Sequence, residues 1–376
     1  MGTQGRFSPP GYVAVALLLV SACTGQGGSV ASRTPAASST PAASGTATPS
    51  STTASPAASS PQPVAGAYGV LVSQAANSYT VVLVGIDGKV AASADATPPP
   101  IASCGGAAGA PVPLPVSTSN SRAYFMDAQG AVRYISPSRE TGRATTVPAS
   151  TGSRRSMFAV SPDDARIAVV VDDYTATGAS TRLYAEDLNG GGNHVELFTE
   201  SGSRTLWPVG WHGTNNLVLA VVPSCTQGGG PFCCGPQELH VVDPLTATRR
   251  FTLGGVTSCP IVGPASPAGV ICWDGTNSKV LNWTAGTVRT YPVQGPAAQL
   301  LSPDGGLVAV VDNGGTSVQN TNVAWPGMFA CTWIDGQHVL SSGDPQHQPR
   351  IGEFPSGVMT PVAAQGDCGG RIPGSL

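Results

Sequence analysis

One segment of the chain occurs twice, and this repeat constrains the fold more than any other feature of the sequence. Residues 158–173 read FAVSPDDARIAVVVDD, and residues 299–314 read QLLSPDGGLVAVVDNG. Proline suits the first corner of a tight turn, and the β-branched residues that follow have the composition of a buried strand. Each copy therefore predicts an antiparallel hairpin.

Looser copies of this hairpin recur at intervals of ~40 to 50 residues, which is the spacing of β-propeller blades. They read LPVSTSNSRAYFMDAQG, VGWHGTNNLVLAVVP, VGPASPAGVICWDG and FACTWIDGQHVLSSG. A second hairpin follows, for example TRLYAEDLNGGGNHVELF, ELHVVDPLTATRRFTL or SKVLNWTAGTVRTYPV. Two hairpins make one four-stranded blade, so the sequence predicts an all-β propeller of antiparallel blades.

The number of blades follows from the length of the repeating region. About 310 residues at ~44 per blade give seven, although six or eight also fit this spacing. The unit at residues 68–96 has three predicted strands and lacks the innermost one. The last segment, GDCGGRIPGSL, can supply that strand and close the ring. The unit at residues 298–327 is short, and its outer strands are poorly defined by the sequence.

The Ser-Pro-Asp-Gly turn, followed by a strand of small and β-branched residues, resembles the TolB-type, WD-like propeller repeat. The resemblance covers most of residues 67–376. It implies a propeller fold and a binding role, with no fixed chemistry. Trp273-Asp274 looks like the Trp-Asp pair of WD repeats, but it follows a second strand instead of a third, and we treat it as a coincidence.

The first residues predict an exported lipoprotein. Arg6 precedes the apolar run YVAVALLLVSA, which is shorter than the ~20 residues that a membrane span needs. The stretch Val20-Ser21-Ala22-Cys23 resembles the bacterial lipobox. It predicts a signal peptide at residues 1–22 and lipidation of Cys23, with fatty chains such as palmitate as the membrane anchor. The alternative is an ordinary signal peptide with a chance cysteine near its end.

Residues 23–66 are predicted to join this anchor to the propeller domain at residues 67–376. After Cys23 they consist almost wholly of Ser, Thr, Ala, Pro and Gly. Such a segment cannot bury enough apolar surface to offset the entropy of ordering, so we expect a disordered linker. The expected location is the outer face of the cytoplasmic membrane or the cell envelope of a bacterium.

Eight further cysteines are an even number in a chain that is predicted to be exported, so disulfide bonds are expected. The candidates are Cys104, Cys225, Cys233, Cys234, Cys259, Cys272, Cys331 and Cys368. Eight cysteines allow 105 connectivities, which the sequence alone does not resolve. The strand pattern suggests Cys259 with Cys272, Cys331 with Cys368, and Cys225 with Cys233 or Cys234. A metal site at Cys225 and the vicinal pair is the rival hypothesis.

The sequence predicts no catalytic residues and no cofactor. The signatures GxSxG, HExxH and the GxxxxGK[ST] phosphate loop are absent from it. Asp172, Asp173 and Asp312 are candidates for calcium ligands at strand ends, where solvated loops are the simpler explanation. The net charge of −3 and the scarcity of adjacent cations argue against nucleic acid as a partner.

Three functional hypotheses follow. The first is a lipid-anchored, non-catalytic module that binds a protein, peptide or carbohydrate of the envelope. The second is a propeller-based enzyme, such as a glycosidase, lactonase or quinone-dependent dehydrogenase. The third is a scaffold subunit of an envelope complex, which would display an apolar patch on the rim. An enzyme predicts converging carboxylates, histidines or metal ligands in the central channel, whereas a binding module does not.

Overall fold

The computed structural model describes residues 61–103, 114–175, 178–224, 236–293, 297–343 and 346–376, and it confirms the all-β propeller. In these ranges the chain forms twenty-seven strands, in seven antiparallel sheets that are the blades of one ring. Blade 1 contains β1 (Tyr68–Gln74), β2 (Tyr79–Gly85) and β3 (Val90–Ala96), and blade 2 contains β4 (Val116–Thr118), β5 (Ala123–Met126), β6 (Ala131–Ile135) and β7 (Thr141–Thr146). Blade 3 contains β8 (Arg154–Val160), β9 (Arg166–Tyr174), β10 (Ala179–Asp187) and β11 (Val195–Gly202). Blade 4 contains β12 (Arg204–His212), β13 (Asn216–Pro223), β14 (Glu238–Val242) and β15 (Arg249–Gly254). The remaining strands are β16 (Val270–Trp273), β17 (Asn277–Leu281), β18 (Thr287–Pro292) in blade 5; β19 (Ala298–Leu301), β20 (Val308–Asp312), β21 (Gly315–Val318), β22 (Ala324–Pro326) in blade 6; β23 (Ala330–Trp333), β24 (His338–Ser341), β25 (Arg350–Glu353), β26 (Met359–Pro361) in blade 7; and the closing strand β27 (Asp367–Ile372).

The ring is closed as the sequence predicted. The last strand, β27, lies at the innermost position of blade 1 and pairs antiparallel with β1, from Tyr68 opposite Ile372 to Val72 opposite Asp367. Residues from the two ends of the domain therefore share one sheet. The short unit at residues 298–327 also forms a complete blade, with the strand order β19-β20-β21-β22.

The two copies of the Ser-Pro-Asp motif form the same turn between a blade's first and second strands. Ser161 Oγ donates to Asp163 Oδ1 at 2.6 Å and accepts a hydrogen bond from the amide of Arg166 at 2.9 Å. Ser302 Oγ donates in the same way to Asp304 Oδ1, at 2.6 Å. The serine hydroxyl thus forms hydrogen bonds with polar groups of the turn that have no partner in the β-sheet. This role explains why both copies carry serine.

Tryptophans join neighbouring blades at equivalent positions. Trp211, on the inner strand of blade 4, donates its Nε1–H to the carbonyl of Ala159 in blade 3, at 3.0 Å. Trp333, on the inner strand of blade 7, donates to the carbonyl of Leu300 in blade 6, at 2.9 Å. Both indoles are almost fully buried. Blades 3 and 6 both contain the Ser-Pro-Asp motif. In both cases a tryptophan of the following blade donates a hydrogen bond to their inner strand.

Blade 5 departs from the predicted four-stranded pattern, because only β16, β17 and β18 form its sheet. Its innermost position is held by Ile261, through an isolated antiparallel bridge to Cys272. Pro260 and Pro264 flank this short stretch, and proline has no N–H to offer to a ladder. The disulfide between Cys259 and Cys272 joins the stretch to β16 covalently.

Apolar side chains fill the spaces between blades. Tyr124 and Val132 of blade 2, for example, pack against Phe158 and Val169 of blade 3 in one buried cluster. Facing sheets that bury one another in this way supply most of the stability of such a ring. In the described residues no helix is long and apolar enough to cross a membrane.

Candidate functional site

The innermost strands surround a central cavity of about 670 Å³. Side chains from β4, β8, β12, β23 and β27 line it, together with residues 261–265 of blade 5. Six blades thus contribute to one concave surface. This volume lies within the ~300–1,000 Å³ that is typical of ligand sites in proteins.

The described lining combines cationic, hydroxyl and apolar groups. The cations are the guanidinium groups of Arg155 on β8 and Arg371 on β27. The hydroxyl and apolar lining residues include Ser117, Thr118, Ser156, Thr332, Met157, Phe158, Trp207 and Val209. No carboxylate or imidazole side chain is among the lining residues that the structure describes. Such a surface offers hydrogen-bond donors, positive charge and an aromatic ring.

Arg155 and its neighbour Arg154 occupy opposite sides of the same strand, because successive side chains of a strand alternate. Arg154 is not one of the residues that line the channel, and it makes an ion pair with Asp173, at 2.8 Å. Arg155 lines the channel and is only 3% exposed. Burial lowers the pKa of Arg155 to about 10, so its guanidinium is still charged at neutral pH. Of the two, Arg155 alone is a lining residue of the cavity, and its charge also acts on Tyr174 and Tyr79.

Arg371 brings a second charge to the cavity from blade 1. Burial lowers its pKa to about 10, while the nearby carboxylate of Asp335 acts in the opposite direction. Its Nη2 donates to the carbonyl of Ser375, at 3.0 Å. Arg371 lies within the part of β27 that pairs with β1, opposite Gly69, so ring closure itself positions this side chain.

Asp172 is a buried carboxyl group directly behind the channel wall. It is the register partner of Arg155 between β8 and β9, and none of its surface is exposed. Thr181 Oγ1 donates to Asp172 Oδ1 at 2.7 Å and lies 3.0 Å from the hydroxyl of Thr205 in blade 4. Desolvation raises the pKa of Asp172 to about 7, against the lowering effect of Thr205 and Thr181. The carboxyl group therefore changes charge near neutral pH.

The three calcium candidates occupy different surroundings. Asp172 is enclosed by hydroxyl groups, and Asp173 is paired with Arg154. Asp312 lies in blade 6, where its Oδ1 accepts a hydrogen bond from the amide of Gly314 at 2.7 Å. Across the described ranges, no three His, Cys, Asp or Glu side chains are grouped so that they could hold a metal ion.

Two of the suggested cysteine pairs lie at disulfide distance. The Cα atoms of Cys259 and Cys272 are 5.2 Å apart, and those of Cys331 and Cys368 are 6.0 Å apart. The second bond joins β23 of blade 7 to β27 of blade 1. It therefore fastens the ring where the two ends of the domain meet. Cys368 lies within β27, the closing strand.

The other predicted site residues fall outside the described ranges. They are Cys23, Cys104, Cys225, Cys233 and Cys234. The structure thus describes four of the eight disulfide candidates. The residues that sequence reasoning missed are those of the channel: Arg155, Arg371 and the segment after β27. The adjacent arginines 154 and 155 were visible in the sequence, but no sequence pattern shows that only Arg155 lines the channel, since the consecutive residues 155–158 all line it.

Comparisons with known proteins assign this chain to no family. No protein-family model matches the chain, and neither does any curated protein sequence. Similar solved structures include an oligogalacturonate lyase from Vibrio parahaemolyticus, with 10% identity, a TM-score of 0.45 and coverage of 73% of this chain and 82% of that one. Another is BamB from Moraxella catarrhalis, with 14% identity, a TM-score of 0.35 and coverage of 80% and 84%. A chain of the mitotic checkpoint complex has 14% identity, a TM-score of 0.42 and coverage of 74% and 85%.

Proposed function

We propose that this protein is a lipid-anchored, extracytoplasmic β-propeller that binds a protein, peptide or carbohydrate of the cell envelope without converting it. The observation that carries this proposal is the lining of the central channel. Two arginines, several hydroxyl-bearing residues and a tryptophan line this cavity of about 670 Å³. Guanidinium groups pair with carboxylates, and hydroxyls and aromatic faces suit peptide backbones and sugar rings.

The position outside the cell is supported by separate features. The lipobox-like sequence before Cys23 and the Ser/Thr/Ala/Pro-rich stretch to residue 66 favour a tethered lipoprotein. Two cysteine pairs at disulfide distance are typical of oxidising compartments. An anchored, rigid ring on a long linker is suited to capture a ligand at a distance from the membrane.

Crosslinking tests the binding role of the channel. We would place a benzophenone amino acid at Val209, which lines the channel, and at Val288, which is 66% exposed on β18. In living cells we expect an adduct from position 209 that position 288 does not form. A matched pair of variants then tests the charge. Arg155→Gln should weaken the adduct, whereas Arg154→Gln should leave it unchanged because that side chain pairs with Asp173 and does not line the cavity.

Two outcomes would refute the binding role. One is the same adduct from positions 209 and 288, and the other is an adduct that neither arginine variant changes. Incubation of the identified partner with purified protein, followed by mass spectrometry, tests for turnover. Chemical conversion of the partner would show that the protein is an enzyme and not a non-catalytic binding module. Circular dichroism and melting temperature show whether each variant is folded.

Labelling tests the anchor independently of the ligand. Cells fed an alkyne-bearing palmitate should label the intact chain, and Cys23→Ala should abolish the label and release the protein from the membrane fraction. A labelled Cys23→Ala variant, or an unlabelled protein in the cytosol, would contradict the proposal.

A further inference from the structure

The segment after β27, residues 373–376, lies across one end of the central channel and forms part of its lining. The amide of Gly374 donates to the carbonyl of Ser119, directly after β4 in blade 2, at 2.8 Å. The amide of Leu376 donates to the carbonyl of Trp211, near the end of β12 in blade 4, at 2.9 Å. The segment therefore starts from blade 1 and connects it to two other blades.

Side chains hold the carbonyl groups of the same segment. His212 Nδ1 donates to the carbonyl of Leu376 at 2.6 Å, and Arg371 Nη2 donates to that of Ser375 at 3.0 Å. The ring of His212 is stacked on Trp283 of blade 5, with 5.1 Å between centroids and an interplanar angle of 22°. This stacking orients the imidazole toward the segment.

The wall of the channel is shaped for this backbone and for one apolar side chain. A Cβ added to Gly210 would lie 2.7 Å from Leu376 Cδ1, and the other atoms nearest to it also belong to Leu376. The inner strand β12 carries a bulge between Pro208 and Gly210, next to this contact. The leucine side chain thus occupies a depression that exists because residue 210 has no side chain.

A second contact demands glycine within the segment itself. A Cβ added to Gly374 would lie 2.2 Å from Thr118 Oγ1 and 2.5 Å from Thr118 Cβ. Any other residue at this position would collide with the end of β4. The surface therefore accepts an extended chain that carries glycine two residues before a leucine-sized side chain.

The backbone groups that hold the segment belong to strands with a free edge. The innermost strands β4 and β12 each pair with one neighbour only, and their other edges face the channel. Free edges bind extended peptides through main-chain hydrogen bonds, while pockets beside them select the side chains.

We propose that this end of the channel is a peptide-binding groove, which residues 373–376 occupy in the free protein and which takes a glycine-x-leucine segment of a protein partner. The inference rests on the proposed binding function and deepens it, since it names an extended peptide as the ligand. The tethered segment competes with the partner at an effective concentration on the order of millimolar. A partner must therefore displace it.

A deletion exposes the groove. We would remove residues 373–376 from the whole chain, which leaves β27 intact, and titrate the N-acetylated, C-amidated peptide Pro-Gly-Ser-Leu by saturation-transfer NMR. The deletion variant should bind this probe with a dissociation constant of about 0.1 mM, and the intact chain should bind it ~10-fold more weakly, because the tethered segment competes at an effective concentration of about 1 mM. The peptide Pro-Ala-Ser-Leu should bind the deletion variant at least ~10-fold more weakly, because its alanine meets Thr118.

Two glycine variants of the deleted chain control the experiment. Gly210→Ala should weaken probe binding, since its methyl group takes part of the space that the leucine side chain occupies. Gly202→Ala should not, because a Cβ at that position meets nothing within 4 Å. If the deleted chain fails to fold, Leu376→Gly in the intact chain replaces it and should also admit the probe.

Equal binding of the probe to the intact and deleted chains would overturn the inference, and so would binding that Gly210→Ala leaves unchanged. Absence of probe binding to a folded deletion variant would overturn it as well. None of these results would abolish the crosslink expected at position 209. The two experiments therefore distinguish failure of the groove proposal from failure of the proposed binding function.

Discussion

Blades 3 and 6 share the Ser-Pro-Asp turn, but the strands of their sheets differ greatly in length. Both contain the Ser-Pro-Asp turn, and both accept a hydrogen bond from a tryptophan of the next blade. The strands of blade 3 have 7, 9, 9 and 8 residues, whereas those of blade 6 have 4, 5, 4 and 3. The repeated motif therefore determines the inner turn and the contact with the next blade, and it leaves strand length free.

The polar interiors of the two blades differ as well. Blade 3 buries the carboxyl group of Asp172 against Thr181. Blade 6 buries the amide of Gln299, which donates to Ser278 Oγ and accepts from the hydroxyl of Tyr291, both at 2.8 Å. A neutral amide has no proton to gain or lose. Only the interior of blade 3 should therefore make stability depend on pH.

The tryptophan contacts give the largest expected effect. Trp211→Ala and Trp333→Ala should each lower the free energy of unfolding by about 3–5 kcal/mol, because each removes a buried indole and leaves a cavity between blades. Trp→Phe at either position keeps part of the packing, and it should cost about 1–3 kcal/mol because a buried carbonyl loses its donor. Urea denaturation monitored by circular dichroism measures both.

The comparison predicts similar losses at the two tryptophans. A loss at Trp333 that is negligible beside the loss at Trp211 would show that strand length, and not the shared motif, decides how strongly blades are joined.

The buried carboxyl of blade 3 gives the next effect. The pKa of Asp172 is about 7 in the folded protein, against an ordinary value of 3.8. Between these values the folded protein keeps a proton that the unfolded chain has released, so the free energy of unfolding falls as pH rises, and above ~7 the loss is complete. Asp172→Asn removes this dependence. It should match the native protein near pH 4 and exceed its stability by about 4 kcal/mol at pH 8.

Asp312→Asn in blade 6 is the matched control, because that carboxylate is exposed and should show no such difference. Parallel pH profiles of the native protein and Asp172→Asn would contradict the burial of a neutral carboxyl group. Thermal unfolding at several pH values distinguishes the two results.

The fold could be predicted because its determinants are local and repeat along the chain. The turn motif at residues 161–163 and 302–304 and the spacing of its copies were enough to define the blades. The missing inner strand of the first unit and the extra segment at residues 366–376 were enough to close the ring. Blade 5 was the exception, since Pro260 and Pro264 remove amide donors from its innermost position.

The candidate site could not be predicted in the same way, because its side chains come from blades that are distant in sequence. Asp172 looked like a strand end open to solvent, and only Thr205 of the next blade shows that it is enclosed. The contact between Leu376 and Gly210 joins residues from blades 1 and 4. No local pattern contains such pairs, and the two arginines of the channel line one cavity only once the ring is closed.

The serine hydroxyls of the shared turns give a smaller effect. Ser161→Ala and Ser302→Ala each remove one hydroxyl that donates to an aspartate and accepts from a backbone amide. Each variant should lose about 1 kcal/mol of unfolding free energy. Equal losses in urea denaturation would show that the two turns contribute equally to stability as well as having the same geometry. A loss at only one serine would show that the two turns share their geometry but not their contribution to stability.

The ion pair that is specific to blade 3 gives the smallest effect. Arg154 and Asp173 lie 2.8 Å apart, with about 42% and 46% of their side chains exposed, so water screens their attraction. Arg154→Gln should lower the free energy of unfolding by less than ~1 kcal/mol, and the difference should shrink further at ~1 M salt. A loss several times larger and insensitive to salt would show that the long strands of blade 3 depend on this pair. In that case the extra length of blade 3 over blade 6 would be an electrostatic feature and not a consequence of apolar burial.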